Sequence, residues 1–233
     1  MATLISAMFG CDTVDKKATE PIMAQLSAKY GKTFTVYALG DRINNDTATA
    51  FVFAENDPTM LFIARSTPNG ILVFENYAYR SICRKVETIT NAAFTKFGIR
   101  SECFADFSDV NNDVSLDISI EDYIKYNSPD SVVVTIIVET SNNLTGENLT
   151  SVYNEVYSQL AGIRFGTALF VLTEKDFEGV ADSVRFETQV FDAYRLKVSG
   201  AEDDIKELNL SITNDGLSLS ADAINTALAK EVE

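Results

Sequence analysis

The sequence predicts an α+β protein: an antiparallel meander packed by a long helix in the first half, and a strand–helix–strand, α/β-like layer in the second. Turn signals at Asn56-Asp57-Pro58 and Thr67-Pro68-Asn69-Gly70 cut the first half into short strands. A stripe of Tyr79, Ile82, Cys83, Val86, Ile89, Ala93 and Phe97 recurs at helical spacing. Val132–Val138 and Phe165–Thr173 are apolar at nearly every position, as strands covered on both faces are.

Along the chain, Thr19-Glu20-Pro21 reads as a helix start, and Ile22, Leu26 and Tyr30 continue the helix until Gly31 stops it. Strands are expected at Thr33–Leu39, Thr47–Glu55, Thr59–Ser66 and Ile71–Phe74, with a polar turn over Gly40–Asp46. The long helix covers Glu75–Phe97, with Arg80, Arg84 and Glu87 on its polar face, and Ile99–Phe107 returns as a strand. Ser108–Ser119, rich in Asp, Asn and Ser, reads as a linker. It divides the chain into a signal-like or arm segment (1–18), an α+β domain (19–107) and an α/β-like domain (119–233).

In the second domain Ser119 caps a short helix, Glu121–Tyr126. Val132–Val138, within the run Ser131–Glu139, and Phe165–Thr173 are expected to be adjacent, parallel central strands joined by the helix Thr145–Ala161. That helix has one apolar stripe and covers one face. The other face falls to the C-terminal helix Ala221–Ala229 or to the helix Glu75–Phe97. Ser183–Val198 alternates at Val184, Phe186, Thr188 and Val190 and reads as one long strand or a bent pair, and Leu208–Ile212 as a last strand.

Composition restricts the chemistry. Nineteen Lys+Arg against 34 Asp+Glu give a net charge of −15, a field that repels phosphate backbones, so no nucleic-acid partner is expected. The chain has no histidine, which removes the usual general base near neutral pH and the commonest transition-metal ligand. Cys11, Cys83 and Cys103 form no C-x-x-C pair. Cys83 and Cys103 either pair, if the protein is exported, or are two small buried hydrophobes. No phosphate-binding glycine loop occurs. No catalytic residue, cofactor or metal ligand is assigned, and no stretch is long and apolar enough to span a membrane.

Three charged clusters have ordinary readings. Asp109, Asn111, Asp113, Ser115 and Asp117 alternate like the start of a calcium loop, but Val114 replaces the required glycine and Ile120 the bidentate Glu. The segment reads as a solvated linker. Glu202, Asp203, Asp204 and Glu207 read as a charged turn, and Arg80, Arg84 and Lys85 as a basic spot used in salt bridges.

The first residues, Met1-Ala2-Thr3-Leu4-Ile5-Ser6-Ala7-Met8-Phe9-Gly10-Cys11, are uncharged and mostly apolar, and a polar stretch follows. They look like the tail of a bacterial lipoprotein signal, with Cys11 as the lipid-attachment residue and an extracytoplasmic, lipid-anchored address. The basic n-region is missing, the apolar run is short, and Met8 and Phe9 are bulky for their positions. The alternative is a self-assembling structural subunit of a filament or virion, with a cytoplasmic or virion-associated address. Residues 1–18 would then be an arm that orders on a neighbouring copy, and Thr47–Glu55 an acceptor edge. A carboxylate-only hydrolase is the third reading and needs two carboxyls at ~5–9 Å in an open cleft.

The segments Ala28-Lys29-Tyr30-Gly31-Lys32-Thr33-Phe34, Phe74-Glu75-Asn76-Tyr77 and Phe97-Gly98 resemble a group of small uncharacterised proteins and lipoproteins of Gram-positive, Firmicutes-type bacteria. In that group a KYG-x-x-F segment precedes strands and a D/E-N-Y segment opens the next helix. The resemblance spans roughly residues 20–175 on short motifs. It implies the architecture and an extracytoplasmic address, and carries no catalytic residues. The function expected from all of this is non-enzymatic binding or interaction, with a protein partner or self-association.

Overall fold

The computed structural model describes residues 16–40, 47–109, 111–187, 189, 192–201 and 205–230. The chain divides into two units, Met1–Tyr77 and Ala78–Glu233.

In the first unit α1 (Lys16–Tyr30) precedes four antiparallel strands, β1 (Phe34–Leu39), β2 (Ala48–Ala54), β3 (Asp57–Ser66) and β4 (Leu72–Glu75), in the spatial order of the sequence. Strand alternation buries Ala50, Val52, Ala54, Phe62 and Ala64. The helix over the meander is α1, which packs on β1, β3 and β4 and buries Ile22 and Leu26. It starts before Thr19 and takes Pro21 inside. Gly31 follows it at φ +64°, a left-handed conformation that glycine adopts without steric cost. β2 is paired on both sides, so the expected acceptor edge at Thr47–Glu55 is an interior strand and the edges are β1 and β4.

The second unit holds α2 (Tyr77–Lys96, begun at the last residue of the first unit), β5 (Ser101–Phe107), α3 (Ile120–Asn127), β6 (Ser131–Glu139), α4 (Gly146–Gln159) and β7 (Arg164–Leu172). It continues with α5 (Glu174–Arg185), α6 (Ala193–Val198), β8 (Lys206–Thr213), β9 (Gly216–Leu217) and α7 (Ala221–Ala229). The sheet order is β5-β6-β7-β8-β9. β6 and β7 are parallel neighbours in register from Ser131↔Arg164 to Glu139↔Leu172, as their composition predicts, and the other pairs are antiparallel. Ile137 and Phe170, the residues that test double-sided burial, are 0% and 1% exposed.

One face of this sheet packs against Ile82 and Val86 of α2, Leu149, Val152 and Val156 of α4, and Ile224 of α7. The apolar stripe of α2 therefore serves this sheet. The opposite face, with Phe104, Ile137 and Phe170, is covered by Phe177, Val180 and Val184 of α5 and Leu196 of α6. The expectation for that cover, α7 or α2, is corrected. So is the strand expected at Ser183–Val198, of which Thr188, Val190 and Phe191 lie outside the described residues. Its first part ends α5 and its last part is α6. Val184 belongs to a stripe with Phe177, Val180 and Ala181, a helical spacing that overrides the period-two pattern beginning at the same residue.

The segment Ser108–Ser119, expected as a linker between halves, lies inside the second unit. β5, just before it, pairs with β6 along its whole length. The unit boundary therefore falls at Tyr77, ahead of α2. Ser119 caps α3 as expected, accepting from the Asp122 backbone N–H.

Candidate functional site

The two short motif segments come together in the first unit. The Glu75 carboxylate is buried and accepts hydrogen bonds from Lys29 Nζ and Tyr30 Oη, each at 2.6 Å, and from the Tyr77 backbone N–H at 2.8 Å. Lys32 Nζ donates to Tyr77 Oη at 2.9 Å, and Asn76 Oδ1 accepts from the Ile63 N–H at 2.7 Å. The Tyr30, Phe34 and Phe62 rings each pack on the Tyr77 ring at centroid distances of 4.9–5.0 Å. Burial and the bond to Glu75 push the Tyr30 phenol up to about 12. The Glu75 bond likewise holds the Lys29 ammonium above its ordinary range. This cluster clasps the end of α1 to the end of β4, and its polar groups are engaged with one another.

A second polar cluster lies between α2 and β5. Arg80 and Glu87, on the helix face that reads as polar, are 4% and 2% exposed. Arg80 donates to Glu87 Oε1 at 2.7 Å and to the Ala105 carbonyl at 2.9 Å, and its guanidinium sits 4.1 Å from the Phe104 ring centroid. Glu87 also accepts from the Ala105 N–H at 3.1 Å and from Arg84 at 3.2 Å. Tyr79 Oη bonds Asp106 and accepts from the Phe107 N–H at 2.9 Å. β5 is an edge strand, so Ala105 and Phe107 present backbone groups away from β6, and side chains of α2 satisfy them. The expected basic spot is thus used in ion pairs, and Lys85 donates to the Ile118 carbonyl at 2.7 Å.

A concave feature among the described residues of the second unit is a cleft of about 560 Å³ at the carboxyl ends of the two parallel strands. β6 and β7 end together at Glu139 and Leu172, and Thr140 locks the ends by donating from its backbone N and Oγ1 to the Leu172 carbonyl at 2.8 and 2.9 Å. α4 and α5 start here, capped by Thr145 and Thr173. Asn225 of α7 accepts from the Gly146 N–H at 2.6 Å and donates to the Glu147 carboxylate at 3.2 Å. Glu147's own backbone N–H, then the Asn225 amide, hold that carboxyl below its ordinary range. Lys206 of β8 donates to the Leu228 carbonyl at the end of α7. The wall combines Leu144, Val171 and Leu228 with Thr140, Asn225 and Ser141, whose buried Oγ has no hydrogen-bond partner among the described residues.

Chemically, these walls offer hydroxyl, amide and ammonium donors beside apolar surface. The ionisable residues that line the cleft are Lys206 and Lys230. The positive ends of both helices are already complemented by first-turn acids, Glu147 in α4 and Glu174 and Asp176 in α5. Sequence reasoning predicted the parallel strand pair but no site at its ends. Lys206 and Asn225 arrive from distant elements and carry no local signal.

Among the described residues no group of three or more His, Cys, Asp or Glu side chains is placed to hold a metal ion. The segment 109–117 is instead tied to α3, with Tyr123 Oη donating to the Asp109 carbonyl at 3.2 Å and Asn111 to Asn127 at 2.6 Å. Cys83 and Cys103 are free thiols, both buried, and burial pushes Cys83 up to about 12. Cys11 and the rest of residues 1–15, the turn residues 41–46, and Glu202, Asp203 and Asp204 of the expected charged turn lie outside the described residues. No helix of the described residues is long and apolar enough to cross a membrane.

The sequence matches no family model and no curated protein. The structure is similar to the crystal structure of a DUF5037 family protein from Ruminococcus gnavus, at a TM-score of 0.73 and 17% sequence identity. The match covers 91% of this chain and 99% of that one. At that identity the likeness is one of α+β fold.

Proposed function

We propose that this chain is a non-enzymatic binding protein whose ligand seat is the cleft at the carboxyl ends of β6 and β7. The observation that carries the reading is Ser141, whose hydroxyl is buried in a concave wall without a partner among the described residues, beside Asn225, Thr140 and apolar Leu144. The cleft has the volume of a small-molecule site and the usual mixture of apolar wall and a few polar groups. Because Glu147, Glu174 and Asp176 already complement the helix ends, the ligand class is an uncharged molecule rich in hydroxyl or amide groups rather than a phosphate. Thermal unfolding with a panel of neutral, anionic and cationic small molecules tests this. A neutral ligand at about a hundred times its Kd raises Tm by roughly 5–10 °C. Ala229→Trp, which fills the cleft from an exposed position, is expected to abolish that rise. A rise that survives the substitution, or one produced only by anions, refutes this seat.

The proposal also puts the protein outside the cytoplasmic membrane, anchored through Cys11. Its support is the uncharged Met1–Phe9 segment ending in Gly10-Cys11. Intact-mass measurement after expression in a Gram-positive host checks it: the expected species begins at Cys11 and carries a lipid adduct. An unmodified chain beginning at Met1 removes the anchor from the proposal and leaves the cleft untouched.

A further inference from the structure

An amide asks a binding site for an acceptor for its N–H, a donor for its C=O and apolar walls for its substituents. The cleft at the ends of β6 and β7 holds all of these. Its acceptors lie at the end of α7. Leu228, Ala229 and Lys230 line the cleft, and the last carbonyls of a helix have no N–H four residues on within it. Lys230, at the C-cap, is extended (φ −66°, ψ 134°), and among the described residues its N–H closes no capping bond. Lys206 complements one of these carbonyls, that of Leu228.

The donors are Ser141 Oγ, buried with no partner among the described residues, and Lys206 Nζ, an ammonium with donors to spare beyond the one on the Leu228 carbonyl. Leu144 and Val171 supply an aliphatic wall. Features that a sugar would use are absent from the described lining. No aromatic ring offers a flat face to a sugar ring, and no carboxylate is there to accept from adjacent hydroxyls. Asn225, the amide of the wall, has its oxygen on the Gly146 N–H and its nitrogen on the Glu147 carboxylate.

We propose that the cleft takes a peptide segment and seats one of its backbone amides with an aliphatic side chain beside it. The inference rests on the cleft being the ligand seat, and it narrows the ligand from hydroxyl- or amide-bearing molecules to peptides. The peptide N–H donates to the open carbonyls at the end of α7, at the negative end of that helix. Its C=O accepts from Ser141 Oγ and Lys206 Nζ, and its side chain lies on Leu144 and Val171. An N-acetylated sugar carries the same amide, but its ring would meet a wall with no face to stack on.

Two-dimensional NMR of the isotope-labelled full chain tests it, with N-acetyl-leucinamide, N-acetylglycinamide, N-acetylglucosamine and glucose as probes. The leucine amide is expected to shift the backbone signals of Ser141, Leu144 and Leu228, and Ala229→Trp to abolish those shifts. The glycine amide lacks the isobutyl group and is expected to bind about 10–100-fold more weakly. Ser141→Ala removes a hydroxyl without a partner among the described residues. It is expected to weaken the leucine amide about fivefold at unchanged Tm. Equal affinity for the two amides overturns the peptide proposal. So do shifts produced by either sugar and not by the leucine amide, an outcome that keeps the cleft as the seat. Cleft signals unmoved by every probe overturn it as well, and the seat is then judged by the unfolding panel and Ala229→Trp.

Discussion

Replacing Glu87 by alanine is expected to lower the unfolding free energy by about 3–5 kcal/mol, the cost of breaking a buried ion pair from one side. The substitution leaves the Arg80 guanidinium, 4% exposed, without its anion. It also leaves the Ala105 N–H without an acceptor. Arg80 Nε already lacks a hydrogen-bond partner among the described residues, so the pair has little reserve. Urea unfolding is the measurement, with the midpoint falling and the slope unchanged. Adding Arg80→Met to Glu87→Ala should recover part of the loss, because the stranded charge is removed and an apolar side chain remains over Phe104. A single-mutant loss below about 1 kcal/mol would mean that Arg80 finds water, and that α2 does not seal the β5 edge.

Gly146→Ala is the second large effect, and here the reason is space. A Cβ built on Gly146 would lie 2.0 Å from the Ala221 carbonyl oxygen and 2.7 Å from its carbon, both backbone atoms at the start of α7. No rotamer change relieves a backbone clash, so α4 and α7 must part. Separation breaks the bond from the Gly146 N–H to Asn225 and withdraws Ile224 from the core. The expected cost is about 3 kcal/mol, at the upper end for overpacking, and it should appear in hydrogen exchange as loss of protection confined first to α7. Gly179→Ala in α5 is the control. Nothing lies within 4 Å of its added Cβ, so that helix should gain up to about 1 kcal/mol. Equal effects from the two substitutions would show that the close approach of α4 and α7 is absent in solution.

Local pattern proved sufficient wherever the deciding physics was local or one-dimensional. Continuous apolar runs dictate double-sided burial, and β6 and β7 pair in parallel at the centre of their sheet accordingly. Ser119 ahead of an acidic turn dictates a helix start. The same reasoning failed at Ser183–Val198, where two periods share Val184, and what selects the helix is the uncovered sheet face made by Phe104, Ile137 and Phe170. Burial of Arg80 and Glu87 was equally hidden. Their helix face is polar by composition, and it is buried because β5 is an edge strand whose backbone needs those side chains.

The candidate site divides along the same line. By itself the sequence determined β1 to β8, α1 to α4 and α7, the absence of histidine side chains and the parallel pair whose ends form the cleft, while α5 and α6 escaped it. Only the tertiary structure decided that Lys206, Asn225 and Ser141 line one wall. It alone turned the Lys29-Tyr30 and Glu75-Asn76-Tyr77 segments, 45 positions apart, into one hydrogen-bonded clasp. It also decided which sheet edges are sealed. Periodicity reports which face of an element avoids water, whereas the choice of what covers that face depends on contacts between distant residues, and those carry no signature in any short stretch of chain.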